Sequence, residues 1–75
     1  KVGPEAVLDN SMAYNGCIVE GTVRDSILFP GVRVEKGAEV NGSVLFFNTT
    51  VQAGGCLDRV ISDVNTTFGR NVRVG

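Results

Sequence analysis

Seventy-five residues carrying seven basic and eight acidic side chains, for a net charge of −1, allow a single domain (1–75) whose core would be marginal if it were compact. The charges are spread along the chain, so no basic surface is expected for nucleic acid or for an anionic membrane. No apolar run approaches the roughly 20 residues needed to span a bilayer. No signal-peptide pattern opens the chain, and the two cysteines make no disulfide framework, so a cytoplasmic protein is expected.

From Val2 onward the apolar residues recur about every six positions, too far apart for one face of a helix. One series runs Val2, Cys17, Val34, Val51, Phe68; a second runs Leu8, Val23, Val40, Leu57, Val74; a third runs Ala13, Leu28, Leu45, Ser62. Two residues before each stands a smaller or β-branched partner: Ala6, Gly21, Ala38, Gly55, Val72 in one set, Ser11, Ser26, Ser43, Val60 in another, and Asn15, Val32, Thr49, Thr66 in the last. Residues two apart on a strand share a face, so each hexad predicts a short strand with one large and one small residue turned inward. None of the charged residues occupies these 27 inward positions, where a random draw at 20% charged would place about five. The step from third to first series is six residues, except for four between Ala13 and Cys17, and the spacing predicts a tightened corner there.

The middle of the chain repeats itself. Residues 26–42 align with residues 43–59, so that Ser26 falls on Ser43, Leu28 on Leu45, Val34 on Val51 and Gly37 on Gly54. Self-similarity at a short fixed period predicts a stacked repeat in which each unit leans on its neighbours. Corners follow from Gly31, Asn48 and Asn65 in one column and Gly37, Gly54 and Asn71 in another, since Gly and Asn tolerate positive φ. The prediction is an all-β solenoid of about five triangular coils, on the order of 24 Å tall at roughly 4.8 Å per strand.

The pattern aliphatic-Gly-x-x-small-x, as in Val2-Gly3-Pro4-Glu5-Ala6-Val7, resembles the hexapeptide-repeat family that folds as a left-handed parallel β-helix. The handedness comes from that resemblance, because parallel crossovers are otherwise right-handed. The runs Asn10-Ser11, Gly16-Cys17-Ile18-Val19-Glu20-Gly21-Thr22-Val23 and Asp25-Ser26-Ile27-Leu28-Phe29-Pro30-Gly31-Val32-Arg33-Val34 are similar to the C-terminal domain of bacterial glucose-1-phosphate adenylyltransferases and of their non-catalytic partner subunit in glycogen biosynthesis. The resemblance extends from Asn10 to Gly75. It implies a parent chain whose N-terminal nucleotidyltransferase domain makes ADP-glucose from ATP and glucose 1-phosphate with Mg²⁺, and a β-helix that serves oligomerisation and allosteric control. Its partners would be that catalytic domain and other subunits. The chain begins and ends in mid-pattern and is expected to be a piece of such a protein, without the catalytic domain.

No catalytic, cofactor or metal residue is expected here, because the Gly-rich phosphate loop and paired metal-binding acids of that chemistry are missing. Effector sites of the family use basic residues, but no motif singles out one of Arg24, Arg33, Arg59, Arg70 and Arg73. The absence of histidine argues against the acyltransferase and carbonic anhydrase chemistries found on similar folds. Cys17 reads as a small core hydrophobe with no base beside it, and Cys56 as an outward thiol. Thr49-Thr50 and Thr66-Thr67 span too few coils for an ice-binding ladder, and Val32-Arg33 breaks the column below. The sequons at Asn41, Asn48 and Asn65 read as turn residues.

Outward positions alternate with the inward ones. Two faces read as polar: Glu35, for example, is expected to point to solvent. The third carries Met12 and Tyr14, Ile27 and Phe29, Val44 and Phe46, then Ile61 and Asp63, and all but Asp63 are apolar or aromatic. Four such strands expose more apolar surface than a monomer usually tolerates. The seven residues are therefore the candidate interface, with Tyr14, Phe29 and Phe46 as an aromatic ladder. The function expected is a regulatory and oligomerisation domain of a glucose-1-phosphate adenylyltransferase-type protein; the alternative is a structural β-helix that serves no enzyme.

Overall fold

The computed structural model describes Gly3 and residues 6–75, and places thirteen short strands on three faces of a prism. Face one stacks β3 (Ile18–Val19), β6 (Arg33–Val34), β9 (Thr50–Val51) and β12 (Thr67–Phe68). Face two stacks β1 (Val7–Asp9), β4 (Thr22–Arg24), β7 (Glu39–Asn41), β10 (Cys56–Asp58) and β13 (Arg73–Val74). Face three stacks β2 (Met12–Ala13), β5 (Ile27–Leu28), β8 (Val44–Leu45) and β11 (Ile61–Ser62). Every neighbouring pair is parallel, and the chain visits the faces in strict rotation, so the fold is a parallel β-solenoid of about four turns. The face-one strand expected around Val2 lies outside the described residues. The extents, 23 × 22 × 18 Å, match a prism of this height.

The inward series of faces two and three pair as the spacing predicts, with Leu8, Val23, Val40, Leu57 and Val74 in one column and Ala13, Leu28, Leu45 and Ser62 in the other. Face one requires a correction. Val19, not Cys17, stacks beneath Val34, and Cys17 takes the smaller inward place given above to Asn15. The reason is local. Gly16 has φ 79° and shares the corner column of Gly31, Asn48 and Asn65, with φ 81°, 60° and 56°, which fixes Cys17 one step past the corner and Val19 on the strand. The tightened corner accordingly lies between Val19 and Val23, where Glu20-Gly21 replaces a turn that is two residues longer in the coils above. Gly21 is buried because the carbonyl oxygens of Ala38 and Glu35 close on its Cα, leaving no room for a Cβ.

A third corner was invisible in composition. Asn10, Asp25, Gly42 and Arg59 all have positive φ, between 50° and 59°, although only one of them is Gly. Just past it the serine column forms a ladder. Each hydroxyl of Ser11, Ser26 and Ser43 donates to the carbonyl two residues back, at 2.7–2.9 Å. Each also accepts the amide one coil up, from Ser26, Ser43 and Val60, at 3.0 Å. A small hydroxyl thus bridges backbone groups that the left-handed residue turns out of the ladder. The serines are inward as expected, but their role is hydrogen bonding as well as size.

Between these corners the core is dry and aliphatic: Val19, Val23, Leu28, Val34, Val40, Leu45, Val51 and Leu57 are all at 0% exposure. Ser62, the polar break in the third series, is buried too, and its hydroxyl meets that of Thr49. Among the described residues no buried side-chain oxygen or nitrogen lacks a hydrogen-bond partner. Burial fades at the two ends of the prism, where Leu8 and Val72 are inward yet exposed. That is the expected state of terminal coils in a stacked repeat.

Candidate assembly face

Face three is built by strand alternation. Leu28 and Leu45 turn inward, so Ile27 and Phe29, and Val44 and Phe46, must turn outward. Parallel pairing then stacks like residues into two columns. The first is aliphatic, Met12, Ile27, Val44 and Ile61; the second, just past each strand end, is Tyr14, Phe29 and Phe46, closed by Asp63.

The aromatic ladder expected from the sequence is present. Tyr14 and Phe29 stack with ring centroids 5.5 Å apart and planes within 10°. Phe46 follows at 5.0 Å from Phe29, tilted by 51°. Sequence alternation missed Phe47, which lies at the corner beyond the strand and packs on Phe29 at 5.5 Å. The Phe46-Phe47 dipeptide was the available signal. With it, four of the chain's five aromatic residues gather on one edge; the fifth, Phe68, lies on the inward side. Exposure is substantial: Met12 56%, Tyr14 48%, Ile27 40%, Phe47 46% and Ile61 76%. Phe29, Val44 and Phe46 are half-buried, partly by one another.

The rest of the surface is mostly polar, with Val7, Leu8, Val64 and Val72 its exposed large hydrophobic residues, and its charges are dispersed. The five arginines are all exposed and lie on faces one and two and at two different corners, so the structure does not bring them together. Glu35 departs from expectation: one carboxylate oxygen accepts the Ala53 amide at 3.0 Å, tying one corner to the next. Asn41 ends β7 while Gly42 makes the turn; Asn48 and Asn65 are corner residues as read, and Asn48 Nδ2 donates to Asn65 Oδ1 at 3.2 Å.

Two surface depressions among the described residues are open. One, of about 450 Å³, runs beside Asn10, Met12, Asp25 and Ile27, with the Asp25 carboxylate held by Asn10 Nδ2 at 2.7 Å. The other, of about 400 Å³, is lined by Cys56, Asp58 and Arg73 among others. Cys17 is at 2% exposure, with its thiol directed at the Phe29 carbonyl at 3.2 Å, which suits a core thiol and not a nucleophile. No group of three His, Cys, Asp or Glu side chains converges among the described residues. Among the described residues no helix is long and apolar enough to cross a membrane.

A triangular parallel solenoid with small and aliphatic residues alternating inward defines a hexapeptide-repeat protein. The chain belongs to the GlmU-like, C-terminal hexapeptide family, whose model matches residues 2–75. It is similar to glucose-1-phosphate adenylyltransferases: 34% identical over 74 residues to that of Acetivibrio thermocellus and 36% over 74 residues to that of Desulforamulus reducens, in each case 99% of this chain. Over a shorter stretch of 39 residues, 52% of the chain, it is 54% identical to the Geobacillus stearothermophilus enzyme. The chain spans only 17% and 18% of the length of the first two relatives.

Proposed function

We propose that the chain is the regulatory and oligomerisation domain of a glucose-1-phosphate adenylyltransferase-type protein, a parent that converts ATP and glucose 1-phosphate to ADP-glucose and pyrophosphate with Mg²⁺ in the cytoplasm. Its partners are the parent's own catalytic domain and other subunits. The observation that carries this reading is face three, a four-stranded sheet with an exposed aliphatic column and an aromatic ladder on an otherwise mostly polar prism. Ordinary β-propensity would place such residues on every face. Their concentration on one suits a domain whose work is contact. A structural β-helix serving no enzyme is the competing reading, and the parent's length separates the two.

The test uses the full-length parent and the same parent lacking these residues. The proposal expects the deletion to change subunit assembly and the response of ADP-glucose synthesis to effectors. It also expects the 75-residue chain alone to make no ADP-glucose. A parent without a nucleotidyltransferase domain, a deletion that alters neither size nor regulation, or synthesis by the isolated chain would each overturn it.

A further inference from the structure

The sequence holds two Asn-Gly pairs, Asn15-Gly16 and Asn41-Gly42. We propose that the first is a site of spontaneous main-chain modification, deamidation to isoaspartate, and that the sheet protects the second. In this reaction the amide nitrogen of the glycine attacks the asparagine Cγ. The new N–Cγ bond closes a succinimide ring, the Cγ–Nδ2 bond breaks, and ammonia leaves with the glycine amide proton. Water then opens the ring. Cleavage at Cγ gives aspartate; cleavage at the original peptide carbonyl gives isoaspartate, whose main chain runs through Cβ and Cγ. One water is consumed and one ammonia released, with no other reactant. A glycine in second place favours the attack because no side chain shields its nitrogen. Composition therefore treats the two pairs alike, and the fold separates them.

Asn41 ends β7 and is paired with Arg24 of β4 on one side and Asp58 of β10 on the other. Its carbonyl accepts the Arg59 amide at 2.8 Å and the Ser43 hydroxyl at 2.9 Å. The Gly42 amide, the group that must attack, is itself donated to the Arg24 carbonyl at 2.9 Å. That peptide cannot turn without breaking these bonds. Asn15 and Gly16 instead form an exposed corner outside any strand. Gly16, at φ 79°, takes the third place of a turn closed by the Cys17 amide on the Tyr14 carbonyl at a long 3.4 Å. In the coils above, the amides of this column are held: Gly31 donates to Asn15, Asn48 to Pro30 and Asn65 to Phe47. Among the described residues nothing accepts the Gly16 amide, and the Asn15 side chain makes no hydrogen bond. The Asn15–Gly16 peptide is anchored only by the Gly31 amide on its carbonyl, at 3.3 Å. With a glycine after it, this peptide is free to turn its nitrogen onto Cγ. The product matters because of where the corner lies. Isoaspartate lengthens the main chain by a methylene between Tyr14, whose ring stacks on Phe29 at 5.5 Å, and the buried Cys17. The inference does not rest on the domain's proposed role.

The test incubates the full-length protein that carries this chain in neutral buffer and maps its tryptic peptides over time. Asn15 and Asn41 fall on separate peptides, 2–24 and 37–59, and fragment-ion mass spectrometry places the new acid within each. Methyl transfer by a protein-isoaspartate methyltransferase separates isoaspartate from aspartate. The expected result is conversion at Asn15 at least about tenfold faster than at Asn41, because Asn41 must first open locally. In denaturant the two rates should come together, which ties the difference to the fold. Gly16→Ala, whose Cβ would meet only ordinary contacts with Gly31, should slow conversion at Asn15 by shielding the nitrogen. Equal rates in the folded protein, faster conversion at Asn41, or an Asn15 that stays intact while the denatured protein reacts at both sites would each overturn the proposal.

Discussion

Thr49 and Ser62 meet inside the prism, hydroxyl to hydroxyl at 2.9 Å, at 0% and 4% exposure. The pair is fully committed: Thr49 Oγ1 donates to the Asp63 carbonyl at 3.1 Å, so Ser62 donates to Thr49, and the Ser62 oxygen accepts the Phe46 amide at 3.1 Å. Thr49→Val should cost about 1–3 kcal/mol, because it strands a buried hydroxyl rather than merely removing a bond. Thr49→Val with Ser62→Leu should recover much of that, since the Leu28 and Leu45 carbonyls already accept the corresponding amides one and two coils below. Chemical denaturation of the single and double variants measures it; a strictly additive pair would contradict the network.

The corrected register predicts where a carboxylate is intolerable. Val19→Asp and Val34→Asp should each cost several kcal/mol, for both side chains are at 0% exposure between apolar neighbours. Asn15→Asp, at an exposed corner, should change little. Glu35→Ala should cost about 1 kcal/mol, more than a free surface residue, because its carboxylate holds the Ala53 amide. Melting temperatures of the four variants rank them, and equal values for Val19→Asp and Asn15→Asp would refute the register.

Two glycines separate close approach from backbone conformation. At Gly21 an added Cβ meets the carbonyl oxygens of Ala38 and Glu35, which cannot move without unpicking the sheet. At Gly31, with φ 81°, it meets only the end of the Asn48 side chain, which can turn away. Gly21→Ala should therefore cost more than Gly31→Ala, whose penalty is the roughly 1 kcal/mol of a left-handed alanine. Thermal unfolding decides; the reverse order would show that the tight corner is not closed as described.

Arg59 gives a prediction of the opposite sign. At φ 55° a long side chain is strained, and Arg59→Asn should stabilise the monomer by about 0.5–1 kcal/mol. The measurement is a denaturation midpoint at concentrations where the chain is monomeric. An unchanged or lowered midpoint would mean that the arginine stem, which lies over Gly42, contributes more than its backbone costs.

Period, class and outer face were legible because a solenoid writes the same instruction in every coil. Leu28 over Leu45 and Val34 over Val51 are visible as spacing before they are visible as contacts, and strict alternation then sends Phe29 and Phe46 outward. Repetition also identified Gly31, Asn48 and Asn65 as a corner, since residue type and positive φ coincide there. Where the pattern is interrupted the sequence was ambiguous. Between Ala13 and Val23 two residues are missing, and both Cys17 and Val19 are apolar enough to serve as the inward residue, so spacing alone favoured the wrong one. The corner of Asn10, Asp25, Gly42 and Arg59 lacked a shared composition and could not be read.

By itself, then, the sequence determined the repeat, the all-β class and which side of each strand is wet, because these depend on residue order within one coil. The tertiary structure alone decided the placement of the short corner, the serine ladder, the Thr49–Ser62 pair and the addition of Phe47 to the aromatic edge. Each of these joins residues from different coils or at a corner, where alternation stops and the backbone's own hydrogen bonds and φ angles choose which side chain faces which.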